Sequence, residues 1–202
     1  IHDICLDHVS VTGDQNTAAV CAYNGGTLEN LTVAGSIEAK DFAAGIFAAS
    51  LPMKEEDETL SKLVNHAKVT ADGTAAGIVA QTKEKVLLED CVNTGVIEAA
   101  VAAGITTAEC ENLVLMRCQN YAPIISSDNE SYGITSNLTA NLTDCVGVSE
   151  NVYPIAADAN ESENCLYFIS GGEKLEDALL ADICDISLTI GEIDANGSYR
   201  EY

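Results

Sequence analysis

The feature that most limits how this chain can fold is that it repeats itself. Leading apolar residues stand at Ile1, Leu28, Leu60, Leu88, Leu115 and Leu142, at intervals of 27, 32, 28, 27 and 27 residues. A period in this range marks a solenoid, in which one copy cannot bury its own apolar face and stacked neighbours bury it jointly. The single long interval holds LPMKEEDE, Leu51 to Glu58, a polar insertion that reads as an enlarged surface loop.

In that register the columns are coherent. Three residues after each start come Ile4, Leu31, Leu63, Cys91, Cys118 and Cys145. Five after come Leu6, Val33, Asn65, Asn93, Asn120 and Gly147. Seven after come His8, Gly35, Ala67, Gly95, Ala122 and Ser149, mostly small. Nine after come Ile37, Val69, Ile97 and Ile124, with the first copy slipping by one to Val11. Farther along recur AAGIF at Ala43, AAGIV at Ala75, AAGIT at Ala102 and SYGIT at Ser131. Segments this short cannot make helices but suffice for strands. The apolar set is small and β-branched, with no Trp and 5% aromatics, which suits flat stacked strands. The sequence therefore predicts an all-β fold, a right-handed parallel β-helix of six to seven coils. Its hand follows the rule for parallel crossovers, and six coils at strand spacing give a core about 29 Å long. A leucine-rich-repeat horseshoe fits worse, because Asn stands where that pattern wants its third Leu.

Two interior ladders are expected. Stacked in register, Asn65, Asn93 and Asn120 can pass amide hydrogen bonds from coil to coil at a buried corner. Cys91, Cys118 and Cys145 replace Ile and Leu in their column, so they read as unpaired thiols acting as small buried hydrophobes, not as a disulfide framework. After about Asn160 the register fades, and Ser162 to Phe168 looks like one last, shorter coil. Glu173 to Ile183 has helical spacing, Asp185 to Ile193 alternates like a strand, and Asn196-Gly197 is a turn signal. Since a solenoid end needs a cover, residues 1–168 are read as the β-helix repeat domain and 169–202 as its capping segment.

The copies TLENLTVAGSIEAKDFAAGIFA (Thr27 to Ala48) and LLEDCVNTGVIEAAVAAGITT (Leu87 to Thr107) resemble the GLUG-type repeat, I-x-N-x-x-V-x-G-x-[IV] followed by a small-Gly-Ile block. Ala-Ala-Gly-Ile stands here where Gly-Gly-[IL]-Val-Gly is usual. Such repeats occur in bacterial surface adhesins and in the non-catalytic region of immunoglobulin A-specific metallopeptidases. The resemblance covers residues 1 to about 157 and implies an extracellular or surface-attached bacterial module without catalysis of its own.

Nine basic residues face 32 acidic ones, a formal charge of −23. That balance argues against nucleic acid and anionic lipid as partners, and no apolar run approaches a membrane span. No Cys/His cluster suggests zinc, and Asp194 to Gly197 is only a fragment of a calcium loop, so neither metal nor cofactor is expected. His2, His8 and His66 share no column that would make a triad. The chain opens at Ile1 inside a repeat, which suggests attachment to further domains of a longer protein.

The chemistry-bearing column lies two residues after each start: Asp3, Asn30, Lys62, Asp90, Arg117 and Asp144. Strand alternation points it to solvent, where alternating signs would make an ion ladder. A second reading is a polysaccharide-processing or carbohydrate-binding surface on Asp90, Arg117 and Asp144. Two coils separate those carboxylates by about 9.6 Å, near the limit for glycoside hydrolysis. The favoured expectation is a non-catalytic spacer or adhesive surface, its partner an unknown host or cell-surface protein or glycan. The insertion Leu51 to Glu58 and the loop Ser126 to Ser131 are its expected contact points.

Overall fold

A computed structural model describes residues 1–50, 58–82, 85–107, 113–148, 156, 161–168, 191–193 and 199–201. Among them the chain is all β, with no helix, and its strands stack in parallel as a β-solenoid of about five turns. The sequence led to six to seven coils. The difference arises because the sixth and seventh copies contribute only their first two segments to the described residues, Asn141–Thr143 with Val146–Val148 and Glu161–Glu163 with Leu166–Phe168.

The register read from the sequence is the register of the stack. Leu60 pairs with Leu88, Leu88 with Leu115, and Leu115 with Leu142. The nine-after column stacks Val11, Ile37, Val69, Ile97 and Ile124 in turn. The slip in the first copy is real: pairing jumps from Leu6–Val33 to Val9–Gly35, and His8 adopts φ 55° at the irregularity. Thr17, Ala43, Ala75, Ala102 and Ser131 form a further column. A last wall stacks Cys21, Phe47, Val79, Thr106 and Thr135. Each turn thus has five short segments joined by corners.

The interior is one continuous core of stacked Leu, Ile, Val and Ala, into which Cys91, Cys118 and Cys145 are fully buried. Fully burying a Leu or Ile contributes roughly 1.5–3 kcal/mol, so each coil is stable chiefly through its neighbours. At the edge of the stack the first copy shows the consequence. Ile4 is 40% exposed, whereas Leu31, one coil inward, is 1% exposed.

The asparagine ladder forms as expected. Asn65 Nδ2 donates to Asn93 Oδ1 at 2.8 Å, and Asn93 Nδ2 to Asn120 Oδ1 at 2.7 Å. Each amide also bonds around the corner, donating to the carbonyl two residues on and accepting that residue's N–H: Ala67, Gly95 and Ala122 respectively. Asn93 therefore satisfies both its donors and both its acceptor sites while wholly excluded from water. The AGI glycines explain themselves against this ladder. A Cβ on Gly77 would lie 2.1 Å from Gly104 O and 2.6 Å from Asn93 Cγ. The wall carrying Gly45, Gly77 and Gly104 comes so close that no side chain fits between it and the asparagines.

Of residues 169–202, which the sequence suggests as a cap, the structure describes only an antiparallel pair, Gly191–Ile193 with Tyr199–Glu201. This is the end of the expected strand and its return. The expected helix and the Asn196-Gly197 turn lie outside the described residues, as does most of the Leu51 to Glu58 insertion, whose Glu58 opens a strand. The expected loop Ser126 to Ser131 is instead an irregular stretch within the strand Ile124–Tyr132. Its pairing jumps from Ala99–Ser126 to Val101–Glu130, and the extra residues bulge outward, Asn129 at φ 62°.

Candidate functional site

The column Asp3, Asn30, Lys62, Asp90, Arg117 and Asp144 is not the simple strand column the sequence suggested. All six residues are left-handed, with φ between 52° and 56°, and Asn164 in the last described coil continues the series at 54°. The backbone turns here between the first and second segments of every coil. Such a φ costs a β-carbon-bearing residue about 1–2 kcal/mol and is eased for Asn and Asp, which fill five of these seven places. Lys62 and Arg117 hold the same geometry without that ease.

The turn aims each side chain outward, so the column is solvent-facing as expected, but the alternating ion ladder does not run its length. Within the column, Asn30 donates to Asp3 at 2.6 Å and Arg117 clamps Asp90 with Nε at 2.7 Å and a second nitrogen at 3.1 Å. Arg117 also reaches Glu89, and Lys62 turns to Glu29 at 3.3 Å instead of to Asp90. The strand residue beside the corner competes for the cation, Glu29 for Lys62 and Glu89 for Arg117.

These partners set the charge states. Hydrogen bonds from Arg117 hold the Asp90 carboxyl below its usual range, and the Asp90 and Glu89 carboxylates hold the Arg117 guanidinium more firmly protonated. The Asn30 amide, then the His2 imidazole, lower Asp3. A carboxyl that must donate a proton near neutral pH needs the opposite shift. Asp90 is thus suited to carrying a fixed negative charge and not to serving as the proton donor that glycoside hydrolysis requires.

One residue farther along the chain the chemistry inverts. Cys91, Cys118 and Cys145 point inward, and the described cysteines, Cys5, Cys21, Cys91, Cys118, Cys145 and Cys165, are all free thiols. Cys118 Sγ donates to Leu88 O and Cys145 Sγ to Leu115 O, each at 3.5 Å and each one coil back. Burial pushes the Cys118 thiol well up, and contact with neighbouring thiols, with burial, does the same for Cys145 and Cys165. Such thiols are poor nucleophiles and poor metal ligands at neutral pH. Among the described residues no three His, Cys, Asp or Glu side chains converge to hold a metal ion.

The sequence reading missed a groove between the fourth and fifth segments of the turn. A cavity of about 310 Å³ is lined on one wall by Phe42, Thr74, Val101 and Glu130 and on the other by Gln81, Thr107 and Ser136. Residues of the first wall stack directly, Phe42 on Thr74, Thr74 on Val101, and Val101 on Glu130. Beside it run Ala44, Ala76 and Ala103, buried yet outside the main core, and Tyr132 closes that column in the next coil. The signal was present in the doubled Ala of AAGI: one Ala faces the core, and the second lines the angle between two walls. No protein-family model, curated protein sequence or solved structure matches this chain.

Proposed function

We propose that this chain is a non-catalytic scaffold and adhesion module of the GLUG-repeat type, borne by a bacterial cell-surface or secreted protein. The observation that carries the reading is the uninterrupted interior. The buried Asn and Cys positions find hydrogen-bond partners in the neighbouring coil, which fixes a stiff axis, while the outward corners carry charge, part of it paired locally. A stiff rod with an acidic, soluble exterior suits display of binding surfaces away from an anionic cell envelope. Among the described residues no helix is long and apolar enough to cross a membrane.

The competing reading, a polysaccharide-cleaving enzyme on Asp90, Arg117 and Asp144, is disfavoured by the Arg117 clamp. The two separate in one experiment. The full chain and its Asp90→Asn/Asp144→Asn variant are incubated with acidic and neutral polysaccharides, and new reducing ends or unsaturated products are measured. In parallel, adhesion of the chain to immobilised glycoproteins and whole cells is scored. Adhesion without cleavage is expected; cleavage lost in the double variant would overturn the scaffold reading.

A further inference from the structure

We propose that the groove between the Phe42–Glu130 wall and the Gln81–Ser136 wall is a binding site for a short, neutral, unbranched oligosaccharide. The inference rests on the adhesive reading and assigns it a surface.

The dimensions come from the stack. Four successive coils contribute Phe42, Thr74, Val101 and Glu130, three strand spacings, so the wall is about 14 Å long. The opposite wall keeps pace: Thr107 N bonds to Val79 O at 3.2 Å and Ser136 N to Thr106 O at 3.3 Å. At one end the walls meet. Asn16, stacked under Phe42, donates across the gap to the Tyr23 hydroxyl at 2.7 Å, and Tyr23 stacks through Ala49 toward Gln81. At the other end Tyr132 occupies the place that Ala103 holds one coil earlier. The groove is therefore bounded and elongated, and its first wall is built on paired strands, the setting that positions ligand groups most rigidly. Its volume lies at the small end of ligand sites.

The lining selects the ligand. It contains hydroxyls from Thr74, Thr107 and Ser136, the Gln81 amide, one carboxylate from Glu130 and the ring of Phe42, with no Lys or Arg among the described residues that line it. Thr107 spends its proton on Ala80 O at 2.5 Å, which leaves its oxygen as an acceptor. Acceptors from Glu130, Thr107 and Gln81 call for a ligand rich in hydroxyl donors. The Glu130 carboxylate, in a chain of charge −23, disfavours sulfated, uronic or phosphorylated ligands. The Phe42 ring and the Val101 side chain take the C–H face of a sugar, and a strongly basic ligand finds one carboxylate to pair with.

The test uses the full chain, titrated by heteronuclear NMR with neutral tri- and tetrasaccharides of gluco-, manno- and galacto-configuration, and with oligogalacturonate as the acidic control. At least one neutral series should bind with shifts centred on Thr74, Gln81, Thr107 and Ser136, and oligogalacturonate at least tenfold more weakly. Gln81→Ala should weaken binding about fivefold. Val101→Trp, at a half-exposed position, should abolish it while urea unfolding shows the solenoid intact. Lack of binding by every neutral series, equal binding of oligogalacturonate, or binding untouched by both substitutions would each overturn the site. Adhesion to glycoproteins that survives Val101→Trp would remove the groove and leave the scaffold reading standing; cleavage of a bound saccharide would remove the latter.

Discussion

Residues 90 and 91, 117 and 118, and 144 and 145 are neighbours in the chain, yet they obey opposite rules. Asp90, Arg117 and Asp144 sit at a left-handed corner facing water, and the same backbone geometry is held by Asp, Asn, Lys and Arg in different coils. Cys91, Cys118 and Cys145 face the interior, and there every described coil from the fourth onward keeps a thiol. The Asn and Gly columns behave like the thiols. Stacking imposes geometry on both sides of the wall, but it narrows the choice of residue only where water is excluded. There it admits an apolar side chain or thiol in one column and an apolar side chain, glycine or a laddered Asn in the other. Outside, a mismatched side chain is rescued by solvent. Inside, each atom must find its partner in the coil above or below.

The harshest way to break this contrast is Asn93→Leu. It strips partners from Asn65, from both backbone groups of Gly95 and from Asn120, all buried. With roughly 1–3 kcal/mol for each unsatisfied buried group, partly relieved by relaxation, the expected loss is about 4 kcal/mol. A urea unfolding midpoint unchanged from the parent would show that the ladder is ornamental. Gly77→Ala comes next, at about 3 kcal/mol, because the added carbon meets backbone Gly104 O, which cannot move aside without parting two coils. Here the solenoid should unfold earlier in urea with an unaltered slope.

The thiols sharpen the contrast through pH. Their folded pKa is raised, so the stabilisation is fully present below the unfolded value near 9 and drains away as pH climbs toward the folded one. Each of Cys118 and Cys145 should lose about 1.4 kcal/mol per pH unit above that point. Stability measured at pH 7.5 and pH 10 should diverge, and the divergence should shrink in Cys118→Ala/Cys145→Ala. In the folded chain at pH 8 these two should also resist a thiol reagent that labels exposed Cys5 at once.

How far the sequence carried the structure follows the same division. Leu28, Leu60, Leu88 and Leu115, the Asn ladder and the buried Cys column were legible because burial restricts each to few residue types. The left-handed corner was not, since Lys62 and Arg117 carry no sign of positive φ and alternation made the column look like plain strand. The Asp and Asn majority at the seven corner positions was the available hint. The groove was missed for a different reason. It is made by the angle between two walls, and the second Ala of Ala43-Ala44 and Ala75-Ala76 is indistinguishable by type from the first. Arg117's preference for Glu89 and Asp90 over Asp144 depends on which way its side chain turns along the stack, which no spacing reports.

The gentlest probe sits at the corner itself and separates backbone from charge. Asp144→Val forces a β-branched residue into φ 54° and should cost about 1–2 kcal/mol even though the position faces water. Asp144→Asn keeps a residue tolerant of that φ and should be nearly neutral. Asp90→Asn removes instead the Arg117 pair, which is 41% exposed on both sides, so solvent screening leaves an expected loss below about 0.5 kcal/mol at neutral pH. Because the Asp90 pKa is depressed in the fold, that small term is present above its unfolded value near 4 and vanishes as pH falls through the folded one. Parent and Asp90→Asn should therefore converge in acid. If Asp90→Asn instead costs more than Asp144→Val, charge and not chain geometry holds the corner, and the division between the two sides of the wall fails at the place where they touch.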